Sequence, residues 1–145
     1  MVACCDFAIM AENATLAFSE VRMGLVPATI SPFVARKIGE GRARELFLTG
    51  AMISAAQALT VGLANQVVPA DGLDAAVDNY LAKLSFCGPQ ALRVTKELLR
   101  DVPGLPLSDA RAFTANRIAE QRASAEGQEG LSAFLEKRKP SWTKV

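Results

Sequence analysis

Leu16-Ala-Phe-Ser-Glu20-Val-Arg-Met-Gly24-Leu-Val-Pro27-Ala28 is the stretch on which the reading of this chain turns. It sets one carboxylate, Glu20, among apolar residues and just ahead of a turn-prone segment from Gly24 to Pro27. A carboxyl with reduced hydration can hold or deliver a proton near neutral pH, which general acid–base chemistry requires. Residues 15–18 read as a short strand, so Glu20 falls at or just beyond its end. Residues 24–31 then read as a loop leading into a helix over 32–38.

Upstream, residues 2–10 are short and almost wholly apolar, as a strand buried on both faces would be, and 11–14 form a polar turn. Downstream, helices dominate. One is predicted over 41–48 and stopped by Gly50. Ser54-Ala-Ala-Gln57 is a capping box opening a helix that ends near Gly62. Residues 65–69 read as a short strand. Leu73, Val77, Leu81 and Leu84 share one face of a longer helix that stops before Gly88-Pro89. Leu92, Thr95, Leu98 and Leu99 mark the next, up to Val102-Pro103. An alanine-rich polar helix spans 108–124, and a last amphipathic one 125–137. The result is lopsided, with a fragment of sheet at the front and helices behind. No later strand is expected to cover both edges of 2–10, so the front reads as one half of a larger sheet.

Composition narrows the chemistry. The chain has 145 residues, half of them apolar, which suits one ordinary domain with a core. A net charge of +1 argues against a nucleic-acid or anionic-membrane surface. No apolar run is long enough to cross a bilayer, and the opening decapeptide carries Asp6 and no basic start, unlike a signal peptide. Cys4, Cys5 and Cys87 cannot all pair within one chain and are read as reduced, mostly buried thiols of a cytosolic protein. Histidine is absent, which removes Ser-His-Asp and Cys-His systems and imidazole zinc sites. No GxxxxGK[ST] or GxGxxG loop occurs. Any catalysis rests on carboxylates and backbone amides; no metal is expected.

Taken together, Ala3 to Asp6, Glu12-Asn-Ala14, Phe18-Ser-Glu20-Val21, Gly24-Leu-Val-Pro27, Leu48-Thr-Gly50, Ala55-Ala-Gln-Ala58 and Gly62-Leu63 resemble the crotonase (enoyl-CoA hydratase/isomerase) superfamily. So do Thr95-Lys96 and Glu129-Gly-Leu-Ser-Ala-Phe-Leu-Glu-Lys-Arg138-Lys-Pro140. The resemblance implies an α/β fold, here the C-terminal part of a crotonase-like ββα spiral. Residues 1–70 would be the end of the spiral core and 71–145 a helical region for oligomerisation and CoA contact.

In that family two backbone N–H groups form an oxyanion hole for a thioester carbonyl, and glutamates position water and shuttle the proton. By similarity Glu20 matches the second of these glutamates; the first falls immediately before Met1, and the oxyanion segments further upstream. The chain alone is therefore expected to be inactive. The plain alternative for Glu20 is a strand-end carboxylate paired with Arg22 or another cation.

Phe134 and Lys137 match positions whose ring and ammonium contact CoA adenine and phosphate. Core packing of Phe134 with Leu131 and Leu135, and a solvated helix end at Lys137-Arg-Lys139, are the competing readings. The implied substrate is an acyl-CoA thioester, with no cofactor beyond the CoA it carries. Homo-trimers or hexamers are implied, with no nucleic-acid or membrane partner and a cytoplasmic location. Pro27-Ala-Thr-Ile-Ser31, less glycine-rich than in many hydratases, is similar to the branch acting on methylglutaconyl-type CoA esters. Met23 and Met52 are expected as core or pocket fillers. Trp142 is expected to dock on a neighbour or remain mobile.

Overall fold

A computed structural model describes residues 2–143. The chain divides into two compact units, residues 1–79 and 80–145.

The first unit carries the strands. Strand β1 (Ile9–Ala11) pairs in parallel with β4 (Gln66–Val68), Met10 opposite Val67. Strand β2 (Thr15–Ala17) pairs antiparallel with β3 (Met52–Ser54), Leu16 opposite Ile53. Between β2 and β3 runs helix α1 (Ser31–Thr49), and helix α2 (Ala55–Thr60) follows β3 directly. Gly39, at φ 79° and ψ 158°, breaks α1 into two legs, matching the two helices expected over 32–38 and 41–48. The capping box at the start of α2 is present: Gln57 N–H donates to Ser54 Oγ (3.2 Å) and Ser54 N–H to Gln57 Oε1 (2.9 Å). Met10, Val34, Ala43, Leu46, Ile53, Ala55, Ala58, Leu63 and Ala64 form the core.

The front of the chain differs from the strand expected over residues 2–10. Only Ile9–Ala11 is extended and paired; Val2–Cys4 is a short 3-10 turn. Side chains meet the backbone groups that a ladder would otherwise have satisfied. Lys37 Nζ donates to the carbonyls of Cys5 (2.8 Å) and Val2 (3.5 Å). Asn65 closes on Ala8 with both its backbone N–H (2.7 Å to Ala8 O) and its Oδ1 (2.9 Å from Ala8 N). Strand β4, within the short strand expected over 65–69, takes one side of β1, and among the described residues no strand pairs with its other side. The three cysteines are exposed rather than mostly buried. Cys4 and Cys5 lie on the turn and the bend after it, and Cys87 lies past the end of the next helix. Met23 and Met52, 65% and 67% exposed, are not core residues of this chain.

Helix α3 (Leu73–Leu84) begins in the first unit and ends in the second. The second unit continues with α4 (Pro89–Asp101), α5 (Leu107–Ala123) and α6 (Ala125–Leu135), which pack on one another around Val94 and Ala133. Its organising contact is the Glu126 carboxylate of α6. It accepts the Gln90 and Ala91 N–H groups (2.8 and 2.7 Å) and so satisfies the open N-terminus of α4. Gly88 leaves room for it: a Cβ there would lie 2.5 Å from Glu126 Oε1. At the tight α5–α6 corner Ser124 Oγ accepts from Gly127 N–H (3.0 Å). Trp142 docks within its own chain, its ring 3.1 Å from where a Gly130 Cβ would stand, and donates Nε1–H to Phe86 O (3.3 Å).

A Gly127 Cβ would meet Gln121 O at 2.1 Å, backbone that cannot swing away. Gly127→Ala is therefore expected to destabilise the helical unit by about 1–3 kcal/mol. Gly104→Ala, with nothing within 4 Å of the new Cβ, should be close to neutral. Urea unfolding followed by the fluorescence of Trp142, the sole tryptophan, measures both.

Candidate active site

Glu20 opens a 3-10 turn, Glu20–Met23, three residues after β2 ends. The turn is fixed from several sides. Its own hydrogen bonds run from Arg22 N–H to Ser19 O (3.0 Å), Gly24 N–H to Val21 O (3.3 Å) and Leu25 N–H to Glu20 O (3.0 Å). Gly24 closes it at φ 72°, a left-handed conformation that suits glycine. Phe18, two residues before Glu20, meets Phe47 of α1 edge to face, ring centroids 5.0 Å apart. Behind the turn stands Gly50, the left-handed cap of α1 at φ 57°; a Cβ there would lie 3.1 Å from Arg22 Cγ and 3.3 Å from Val21 Cγ2.

The Glu20 side chain is half-buried, and its Oε2 is shielded from water with no hydrogen-bond partner among the described residues. No ion pair with Arg22 forms among them either, so the surface-pair reading is not what the structure adopts. A buried carboxylate oxygen without a donor carries a desolvation cost that a structural role does not explain. An apolar hollow of about 130 Å³ lies beside β2, lined by residues that include Leu16, Phe18 and Leu63; Glu20 is not among its lining residues. No cluster of three or more His, Cys, Asp or Glu side chains that could hold a metal occurs among the described residues.

Phe134 and Lys137 lie in the second unit, at the end of α6. Phe134 is 80% exposed and Leu135 78%, so the competing reading of Phe134 as core does not hold in this chain. Lys137 N–H donates to Phe134 O (3.3 Å) and Arg138 N–H to Ala133 O (3.0 Å), the paired bonds of a Schellman turn. Lys137 occupies the left-handed position of that turn at φ 55°, the one non-glycine residue among those described with positive φ. Glycine usually stands there.

The basic cluster divides by role. Arg138 is clamped: its two terminal nitrogens reach Glu129 Oε1 and Oε2 (2.7 and 2.9 Å), and Nε reaches Glu136 Oε2 (2.7 Å). Among the described residues no carboxylate pairs with the Lys137 ammonium, which leaves it open to an anion. Sequence reasoning did not find Glu129 in this arrangement. A glutamate nine positions before an arginine signals a contact only once the chain is known to reverse after the helix.

The whole chain, residues 1–145, matches the family model described as Enoyl-CoA hydratase/isomerase. It is 35% identical over 147 aligned positions to mevalonyl-coenzyme A hydratase sidH of Aspergillus fumigatus, covering 98% of this chain and 54% of that protein. Among solved structures it is similar to an enoyl-CoA hydratase from Shewanella pealeana (40% identity, TM-score 0.92, 97% of this chain and 53% of that one). It is also similar to Pseudomonas aeruginosa AtuE (38% identity, TM-score 0.94, 99% and 56%). These likenesses go with a mixed, helix-rich fold of few short strands. The chain belongs to the enoyl-CoA hydratase/isomerase family. It spans about half the length of the curated relatives it matches.

Hydrogen bonds from Arg138 and then from Ser141 N–H (2.8 Å) hold the Glu129 carboxyl down to about 2, against an ordinary 4.5. A lowered folded-state value means that ionised Glu129 stabilises the helical unit in full above about 4.5. That contribution is lost as pH falls from there toward about 2. Glu129→Gln should flatten this part of the stability profile, as read by urea midpoints collected across the same window.

Proposed function

We propose that residues 1–145 supply the proton-transfer carboxylate and the CoA-contacting helix end of an enoyl-CoA hydratase, as the end of a crotonase-type spiral core followed by its helical region. In this reading the acyl thioester is the substrate, and CoA belongs to it rather than to a resident cofactor. The observation that carries the reading is Glu20: a carboxyl with a shielded, partnerless oxygen at the family's glutamate position. As water oxygen bonds the β-carbon, electrons move toward the thioester carbonyl. Glu20 delivers a proton to the α-carbon, and a second base takes the proton lost by the water. Acid–base help of this kind contributes about 10²–10⁴-fold in rate.

The exposed ring of Phe134 offers a face for the adenine, and Lys137 a cation for a CoA phosphate. The oxyanion donors and partner glutamate would come from upstream sequence that this chain does not contain. One lost oxyanion donor costs about 2.7–4 kcal/mol, so the 145-residue chain by itself should not turn over. The less glycine-rich loop after Pro27 supports a branched, glutaconyl-type acyl group, and the alanine-rich faces around Ala110 to Ala123 support a trimer or hexamer. A cytoplasmic location stays part of the proposal.

One observation favours a second reaction, double-bond isomerisation. By the resemblance Glu20 is the one catalytic glutamate within residues 1–145, and isomerisation needs only one well-placed proton carrier.

Hydration is read by loss of the enoyl-CoA double bond in a form extended upstream to the length of the relatives. Glu20→Gln is expected to lower kcat there at least about a hundredfold; unchanged turnover would overturn the role of Glu20. The chain of 145 residues should show no hydration, and robust turnover by it would overturn the need for upstream donors. A shifted double bond without added water would favour the isomerase. No reaction at all in the extended form would favour a non-catalytic assembly or binding role.

A further inference from the structure

Lys137 is an unusual residue for its backbone. A left-handed non-glycine residue costs about 1–2 kcal/mol, and such strain persists only where the surroundings impose it. On the near side, the Schellman bonds from Lys137 and Arg138 tie the turn to α6. On the far side, the two-pronged Arg138–Glu129 pair draws the chain back along the helix it has just left. Glu129 Oε1 also accepts Ser141 N–H (2.8 Å), so residues 138–141 close as a loop on one carboxylate. The Arg138 guanidinium is consumed in this clamp, while the Lys137 ammonium is exposed and, among the described residues, has no carboxylate partner.

We infer that Glu129 and Arg138 are positioning residues for the CoA subsite, acting through Lys137 by holding its backbone in the left-handed turn beside Phe134. The inference rests on the reading of Phe134 and Lys137 as CoA contacts. The clamp presets where the ammonium leaves the backbone relative to the exposed Phe134 ring three residues earlier. A ligand spanning both then meets a formed site and does not have to order one, which is how preorganisation raises affinity. Replacing the planar fork of Arg138 by an ammonium would keep the charge and lose the paired geometry.

CoA is the probe, titrated into the 145-residue chain by calorimetry at fixed salt, with helix content checked by circular dichroism. Lys137→Ala should weaken CoA binding by about tenfold. Glu129→Gln and Arg138→Lys should each weaken it at least about threefold with helix content retained. In the Lys137→Ala background, Glu129→Gln should add nothing, because the group through which it acts is gone. Weakened binding in Lys137→Ala with unchanged binding in both Glu129→Gln and Arg138→Lys would overturn the positioning role alone. A Glu129→Gln loss that persists in full without Lys137 would do the same. Undiminished binding in Lys137→Ala, or no CoA binding by the parent chain, would overturn the reading of the subsite and the inference with it. Should Glu129→Gln fail to fold, Arg138→Lys tests the same step.

Discussion

The close approach at Gly50 is the constraint on which the first unit's site depends. The chain must leave α1, reverse and enter β3, whose ladder with β2 leads to the Glu20 turn. A positive φ makes the reversal, and the missing side chain lets Arg22 and Val21 pack against it. Both demands fall on one residue. A Cβ there would meet the stem of Arg22 and the branch of Val21 at 3.1–3.3 Å, contacts tighter than ordinary packing. Displacing them would displace the turn that Glu20 opens. The turn that carries Glu20 is therefore held by a residue thirty positions away.

The second unit solves a related problem with charge. Two glutamates of α6, Glu126 and Glu129, each accept hydrogen bonds that no local helix bond could satisfy. Glu126 takes the open N–H groups at the start of α4, and Glu129 takes a guanidinium and a backbone N–H from the segment after α6. One carboxylate fixes where a helix begins, the other where the chain turns after one ends. An exposed ion pair is worth little as a stabiliser, and the Glu129–Arg138 pair is partly exposed, Arg138 more so than Glu129. Its two-pronged geometry and its coupling to Ser141 matter more for direction than for free energy.

Much of this was legible in the sequence. Glycine and proline mark where helices stop, so the helix boundaries, the Ser54 capping box and even the Gly39 break were readable before the fold was known. Glu20 was legible because a carboxylate among apolar residues ahead of a Gly24 turn is a local pattern. Strand β3 was not, because its three residues end in the cap of α2 and its pairing with β2 joins segments more than thirty residues apart. The exposure of Cys4, Cys5, Met23 and Met52 was hidden for a different reason: apolar composition says what favours burial, not whether a neighbour exists to bury it. The left-handed Lys137 left no mark at all. Nothing in a lysine announces that conformation, and only the bonds of Arg138 and Glu129 explain it.

The apolar residues that follow Glu20 in sequence are among the most exposed large hydrophobics of the first unit: Met23 at 65%, Leu25 at 59% and Val26 at 74%. This inverts the usual picture of a buried acid. Half of the shielding is built in, as the partnerless Oε2 attests, and the rest depends on what covers the loop that follows. In the proposed reading an acyl chain lying on Leu25 and Val26 would gain hydrophobic contact at about 25 cal/mol per Å² of apolar area covered. The same contact would strip water from the neighbouring carboxyl. Binding and activation then become one event, with part of the binding free energy spent on preparing the proton carrier. A fully buried glutamate would bear its whole desolvation cost permanently in the folded chain; in the proposed reading a half-buried one bears the remainder only when substrate is present.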